Sequence, residues 1–299
     1  MARIVVVGSI NMDLVTTVGH RPEPGQTVSG ESFALVPGGK GSNQAIAAQR
    51  AGATVDFVGA VGSDVFADAL RGVLHDAGVG VSRLRTANGP SGIATIVVDG
   101  DGENTIIVVA GANGRLTDLD TADLDAIASA DILMCQLEIP IPTVLAAARH
   151  ARAHHTTVIL NPSPVQHLPA DLWAEIDVAV VNEGEAEQLA TPLAAVPHVI
   201  TTLGAHGASY RGPDARLSHP GVPVEVVDTT GAGDTFTGAL AAHWHQGPAT
   251  ALAWACTAGA LATTKLGASA SIPHRTDIEQ ALAAATAHWL GGMTADAGS

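Results

Sequence analysis

Several things are scarce in this chain, and each shortage narrows what it can be. Cysteine occurs only as Cys135 and Cys256, each inside an apolar segment. No disulfide framework or cysteine-based metal site can be built from that pair, which points to a reducing compartment. Basic residues are few: 14 Lys+Arg stand against 29 Asp+Glu, for a net charge of -15. Such a surface repels a phosphate backbone, so nucleic acid is disfavoured as a partner. A small polyanion is still admissible, because helix-terminal amides and a bound cation supply positive potential locally. No uninterrupted apolar run approaches the ~18 residues of a membrane span, and no cleavage-site region follows the strand-like start, Met1 to Gly8. A cytoplasmic protein without membrane contact is expected. Internal repeats are missing, and Ala-richness is the only compositional bias.

The common nucleotide fingerprints are missing as well. Around Lys40 a Walker A loop would need Ser or Thr next and a glycine at position 34, but Gly41 and Ala34 stand there. After Gly8 no further glycines fall at the dinucleotide-binding spacing, so a dehydrogenase is disfavoured. The chain has 13 histidines, but His150, His154 and His155, like His243 and His245, lack the acidic and glycine pattern of zinc helices. Solvated or core-edge roles suit them better.

What is present is an α/β pattern with 46% hydrophobic residues, enough for a sizeable core in one domain over residues 1–299. Strand-like runs (Ile4 to Val7, Val55 to Val61, Ile132 to Cys135, Val158 to Leu160, Val178 to Val181, Val199 to Thr202) alternate with helical ones. The helices are Ser42 to Ala51, Ala67 to Ala77, Ile141 to Ala153 and Glu183 to Ala190. This order predicts a central, mostly parallel sheet flanked by helices on both faces. From Gly233 onward three helices are expected, with breaks near Gly247-Pro248 and Gly267 to Pro273, and a frayed tail from about Thr294. Two segments, about 13–36 and 92–109, break the rhythm with strands and turns; Asp99-Gly100-Asp101-Gly102 is a hairpin signal. They predict a small β-sheet lid over one end of the main sheet.

Two stretches carry chemistry. Val222 to Val227 reads as a strand and Phe236, Leu240, Ala241 and Trp244 as a helix, which puts Gly231-Ala232-Gly233 at a strand-to-helix junction. Glycines there let an anion approach the helix-terminal amides, with Asp234 placed as a base. Pro37 to Gln44 opens another helix. Its tight backbone positions and the amide of Asn43 suit a molecule rich in hydroxyls, and Asn11 and Asp13, at the end of the first strand, suit the same groups.

Gly38-Gly39-Lys40-Gly41-x-Asn43 and Asp228-Thr-Thr-Gly-Ala-Gly-Asp234-Thr-Phe236 together resemble the two signatures of the ribokinase branch of the sugar and nucleoside kinase family. The resemblance runs nearly end to end, through Asn11-x-Asp13, Glu138, Asn161-Pro162, Asn182-Glu183-x-Glu185 and Thr202-Leu203-Gly204-x-x-Gly207. It implies a ribokinase-like fold and transfer of phosphate from ATP to D-ribose, giving ribose 5-phosphate. Asp234 would take the proton from the attacking hydroxyl, and the amides of Ala232 and Gly233, opened to the phosphate by the turn at Gly231, would hold the charge of the transferring phosphoryl group. Asn11, Asp13, Gly39, Lys40, Gly41, Asn43 and Glu138, with Asp234, match the sugar-binding set. Asn182 and Glu185 match an element that organises Mg2+ and phosphates through waters. Thr202, Leu203, Gly204, Ala205, His206 and Gly207 match the loop beside the nucleotide, and Gly233 lies next to it.

The resemblance also carries over a K+ site of Asp228 and Thr230, with carbonyls around Ala262, Lys265 and Gly267 and the hydroxyl of Ser271; the apolar Leu266 and Ala268 to Ala270 leave its carbonyl donors open. Cys256 falls either beside the adenine or in ordinary core packing. Lys40 either meets the sugar, screens the phosphate or is a solvated surface residue. Apolar lid strands predict a homodimer in which lids pack together. The alternatives are a related kinase acting on another sugar or nucleoside, and a non-catalytic sensor of sugar or nucleotide.

Overall fold

The computed structural model describes residues 1–284, so the tail expected from about Thr294 lies outside the described residues. In order, the chain forms β1 (Arg3–Val7), β2 (Asn11–Val18), β3 (Gly30–Gly38), α1 (Lys40–Arg50), β4 (Thr54–Val61), α2 (Ala67–Asp76) and β5 (Gly80–Thr86). It continues through β6 (Gly92–Val98), β7 (Asn104–Val109), α3 (Thr121–Ser129), β8 (Ile132–Cys135), α4 (Ile141–Ala153), β9 (Thr157–Leu160) and α5 (Ala170–Trp173). Then come β10 (Val178–Asn182), α6 (Glu183–Gln188), α7 (Ala190–Leu193), β11 (His198–Thr202), β12 (Ala208–Arg211) and β13 (Arg216–His219). The last elements are α8 (Ala232–His243), α9 (Pro248–Ala262) and α10 (Ala268–Ser271), and residues 275–284 are also helical.

A 9-stranded sheet in the order β13-β12-β11-β10-β9-β8-β1-β4-β5 forms the body. From β11 to β5 every pairing is parallel, and β12 and β13 add an antiparallel edge. Successive side chains of β1 serve opposite faces: Ile4 and Val6 pack with Phe57 against α1, α2, α8 and α9, while Val5 and Val7 pack against α3 and α4. This double burial is why the strands read as continuous Val/Ile runs. Removing one large member, such as the fully buried Phe57, would leave a cavity costing about 3–5 kcal/mol.

A second sheet, β3-β2-β6-β7, is separate from the first. It spans slightly more than expected, starting at Asn11 and with β3 running to Gly38, and β2 pairs with β6 in parallel. Phe33, Leu35 and Ile106 to Val109 are exposed on it. Asn11 and Asp13 therefore open the first strand of this small sheet instead of ending β1.

One expected element does not form. Val222 to Val227 is irregular, and Val226 and Val227 are exposed. Pro223 lacks a donor, the β12–β13 hairpin already ends that side of the main sheet, and the amides of Val227 and Asp228 both donate to the Thr263 carbonyl. The glycine turn is thus a loop-to-helix junction. Among the described residues no helix is long and apolar enough to cross a membrane.

Candidate active site

The C-terminal ends of β1, β8, β9, β10 and β11 lead into the residues singled out above. Strand order runs outward in both directions from the β1/β8 pair, and in such open sheets a crevice forms at that reversal. Gly8 to Asn11 and Gln136 to Glu138 occupy it.

Close backbone approach explains the glycines before α1. Gly39 has φ 94°, and a Cβ there would lie 2.8 Å from the Asn11 nitrogen; one at Gly41 would lie 2.5 Å from the Ser9 nitrogen. The start of α1 is thereby pressed onto the β1–β2 turn. Ser9 Oγ accepts from the Gly41 amide (3.2 Å) and donates to Glu138 Oε2 (2.5 Å), which also accepts from the Lys40 amide (3.0 Å). These bonds take Oε2 and leave Oε1 for a ligand hydroxyl. Asn11 Oδ1 accepts from Asn113 Nδ2 at 2.7 Å, so the Asn11 side chain offers its N–H groups as donors. The backbone amide of Asn43 donates to Gly39 (3.0 Å) inside the helix and is not free for a ligand. Its side chain donates to Asp234 Oδ2 (3.1 Å), and its buried Oδ1 has no partner.

Asp13, Glu138 and Asp234 crowd one pocket. Burial, then the charges of Glu138 and Asp234, push the Asp13 carboxyl up to about 7. Burial opposes the charge of Lys40, but Asp234, Glu138 and Glu185 outweigh it and raise its pKa. Lys40 is one of only two lysines in the chain, and it faces the acids as a partly buried counter-charge instead of a solvated surface lysine.

Gly231 adopts φ 76° at the N-cap of α8, a left-handed conformation that favours glycine, and packs against Ala268 of α10. Asp234, buried in the first turn, accepts from Asn43 on Oδ2 and from Gln44 Nε2 on Oδ1 (3.0 Å). The Ala232 amide already donates to the Thr229 carbonyl (3.2 Å), whereas Gly233 N–H lies in the first turn without an intrahelical acceptor.

Beside Asp234 is a cavity of about 130 Å3 bordered by Lys40, Asn161, Asn182, Glu185, Gly231 and Gly233. Asn182 caps α6 reciprocally: its Oδ1 accepts from the Glu185 amide (2.8 Å), and its own amide donates to Glu185 Oε2 (2.9 Å). This fixes the Glu185 carboxylate at the cavity wall. One carboxylate fits Mg2+, which keeps several waters and takes further oxygens from phosphate; among the described residues no group of three His, Cys, Asp or Glu offers a fuller cage.

A larger cleft of about 390 Å3 adjoins it, lined by Thr202, Gly204, Ala205, Gly207, Gly233 and Cys256 among others. Leu203 and His206 of the expected loop are not in its wall. Burial pushes the Cys256 thiol up to about 12, so it is a neutral packing group there. A further cavity of about 1100 Å3, lined by residues of α5 and α7 among others, includes none of these residues in its wall.

The expected cation residues are brought together in part. Asp228 accepts from the Thr230 amide (2.9 Å) and the Gly267 amide (2.9 Å), tying the anion-site turn to the loop before α10. Burial works against its charge, but hydrogen bonding from the Thr230 side chain and from the Thr230 and Gly267 amides outweighs it and holds its carboxyl below the usual range. The Ser271 hydroxyl donates to the Ala268 carbonyl (3.0 Å), and Lys265 is exposed. Carboxylate and carbonyl oxygens around the 228–230 and 262–271 loops fit a monovalent cation in kind.

Ser9, Gln44, Asn113, Gln136 and Asn161 complete the site, and none was expected to act in it. Asn161 stands in the sequence signature; the others carry no local pattern that would reveal them.

This arrangement defines a kinase of small hydroxylated molecules, and residues 1–275 match the model of the pfkB family of carbohydrate kinases, to which the chain belongs. It is 38% identical over 293 residues to the ribokinase of Bacillus subtilis, covering 94% of this chain and 100% of that one. A solved structure of Arabidopsis thaliana ribokinase complexed with ribose and ATP superposes with a TM-score of 0.88 at 31% identity, covering 94% of this chain and 98% of that one. A deoxyribokinase of Salmonella typhimurium is 32% identical over 263 residues, covering 81% of this chain and 86% of that one.

Proposed function

We propose that this chain phosphorylates D-ribose with ATP to give D-ribose 5-phosphate. The observation that carries the reading is Asp234: a buried carboxylate, held by two neutral amides at a helix N-terminus, between a pocket of hydroxyl-binding side chains and a cavity walled by Lys40 and Glu185. In that position it can take the proton of an attacking hydroxyl while the γ-phosphate is gripped on its other side.

Asn11 donates, and Asp13, Glu138 and Asn43 Oδ1 accept, so the pocket can pair several hydroxyls of a free pentose. Each hydroxyl left unpaired would cost about 1–3 kcal/mol. Gly233 N–H and Lys40 meet charge developing on the transferring group; Gly231 shapes the turn that aims them. ATP is accommodated with its base in the cleft near Cys256 and Gly204 and its phosphates toward Asn182 and Glu185. Mg2+ held at Glu185 through water would neutralise phosphate charge, and K+ between Asp228, Thr230 and the Ala262 to Ser271 loop would fix the orientation of the Gly231 to Gly233 turn.

The small sheet acts as a lid over the sugar, and the exposed Phe33, Leu35 and Ile106 to Val109 form a homodimer contact between lids. The chain works as one domain, and its two buried, unpaired cysteines agree with a reducing, cytoplasmic setting. A second reading, phosphorylation of deoxyribose, draws on the likeness to deoxyribokinase. Steady-state assays with ribose, deoxyribose, fructose and adenosine decide between them: ribose should have the highest kcat/KM, and a higher value for any other acceptor overturns the assignment.

A further inference from the structure

We infer that Gln44 is a positioning residue for Asp234, set in place by a directional relay of buried amides, Gln136 to Gln44 to Asn161. The inference rests on the kinase reading above and concerns how that site holds its base. Gln44 and Gln136 are fully buried, and Gln136 reaches Asp234 only through Gln44.

The relay has one polarity, and a main-chain group fixes it. Asn161 Nδ2 donates to the Val180 carbonyl at 2.9 Å, and a carbonyl can only accept. Asn161 must therefore turn Oδ1 toward Gln44, where it accepts from Nε2 at 3.1 Å. The second hydrogen of that Nε2 goes to Asp234 Oδ1 at 3.0 Å, leaving Gln44 Oε1 to accept from Gln136 Nε2 at 2.6 Å. Reversing any one amide would set two acceptors or two donors face to face. Gly8 makes room for the outer member, since a Cβ there would lie 2.3 Å from Gln136 Oε1.

The choice of an amide has a chemical consequence. A cation in place of Gln44 would hold Asp234 equally well but would stabilise its charge and weaken it as a base. Gln44 and Asn43 each pin one carboxylate oxygen with a neutral donor, so the carboxylate plane is fixed without a cation bonded to it. Because Asn161 also borders the phosphate-side cavity, one relay aligns the base with both halves of the site.

The test uses the full chain with ribose and ATP, and compares Gln44→Met, Gln44→Glu and Gln136→Met by kcat, KM, pH profile and thermal melting. Gln44→Met keeps volume and loses the donor; kcat should fall about 10- to 100-fold with ribose KM within about threefold. Gln44→Glu sets a second carboxyl against Asp234, and the acidic limb of the kcat profile should move up by roughly one pH unit or more. Gln136→Met, outside the pocket, should lower kcat about 2- to 10-fold with little change in melting. A Gln44→Met enzyme with wild-type kcat, or a Gln44→Glu enzyme whose acidic limb does not move, overturns the inference. Should the Gln44 variants not fold, wild-type kcat and pH profile in Gln136→Met overturn it equally. A wild-type chain that phosphorylates no sugar would instead remove the kinase reading and this inference with it.

Discussion

The pocket around Asp13 and Glu138 is made of charged and amide side chains drawn from β2, α1, α8 and the turn after β8, whereas the cleft beside Gly204 and Cys256 is made mostly of backbone and small apolar groups. On the proposed function the first would read hydroxyls one by one, so each side chain would matter and its removal would leave partners unpaired. The second offers shape, set in part by glycines such as Gly207 and Gly221 that leave no room for a side chain. Chemical specificity therefore concentrates at the acceptor end, and the donor end contributes affinity spread over many weak contacts.

The largest break in that contrast should come at the junction of the two halves. Asp234→Asn is expected to lower kcat roughly 10²- to 10⁴-fold with ribose KM little changed, as steady-state kinetics would register. Near-wild-type turnover would sink its role as base.

Next in size, Glu138→Ala removes the acceptor of Ser9 and of the Lys40 amide as well as a hydroxyl contact. A loss of about 10- to 100-fold in kcat/KM for ribose is expected, with KM for ATP almost unmoved. Equal losses toward both substrates would blur the division between the two ends.

Asp228→Ala unties the turn from the 267–271 loop. Wild-type activity in buffer free of sodium and potassium should rise on adding potassium, and this variant should lose the rise while keeping the fold by circular dichroism. A wild-type rate indifferent to potassium would count against the cation site.

Asp13 makes a subtler prediction through pH. Its folded-state pKa is raised from 3.8 to about 7, so the folded chain holds a proton there that the unfolded chain releases. The stability this contributes is fully present below pH 3.8 and is lost as pH rises through about 7. Melting temperature measured between pH 5 and 8 without sugar should fall less steeply in Asp13→Asn than in wild type. Ribose, which needs the ionised acceptor, should bind wild type more tightly across the same rise. The smallest effect is expected from Cys256→Ala, which trims a neutral wall group and should change KM for ATP by less than about threefold.

Much of this was legible in the sequence because it depends on period and spacing. The boundaries of α4 and β8 were read as they stand, and the two lid segments announced themselves by breaking the βα rhythm. The β12–β13 hairpin was not, since its four-residue strands alternate weakly and carry Arg211, Arg216 and His219. β5 was obscured in the same way by Arg83 and Arg85, whose polar heads bond to the first turn of α3 and to the loop before it. Val222 to Val227 misled in the opposite direction: β-branched residues signal extended backbone, but a strand also needs an edge to pair with. At the site, Asp234 and the glycines were picked out by their distinctive spacing, and Glu138 by the resemblance to the kinase family. Ser9, Gln44 and Gln136 were not, because a glutamine in an Ala-rich helix looks like any other until β8 and β9 are set against it.

β2 has a mechanical consequence. Asn11 and Asp13 sit at its base, clamped by α1 and the Asn113 turn, while Val18 lies at its far end, seven residues on at about 3.3 Å each. Acting as the proposed lid, the small sheet would be a lever about 23 Å long with its ligand contacts beside the fulcrum. A swing of about 10° would carry the tip some 4 Å yet shift Asn11 by a small fraction of an ångström. On the proposed function, entry and exit of the sugar could then change widely while the groups that measure its hydroxyls hardly move, so the pocket would not need rebuilding at every turnover.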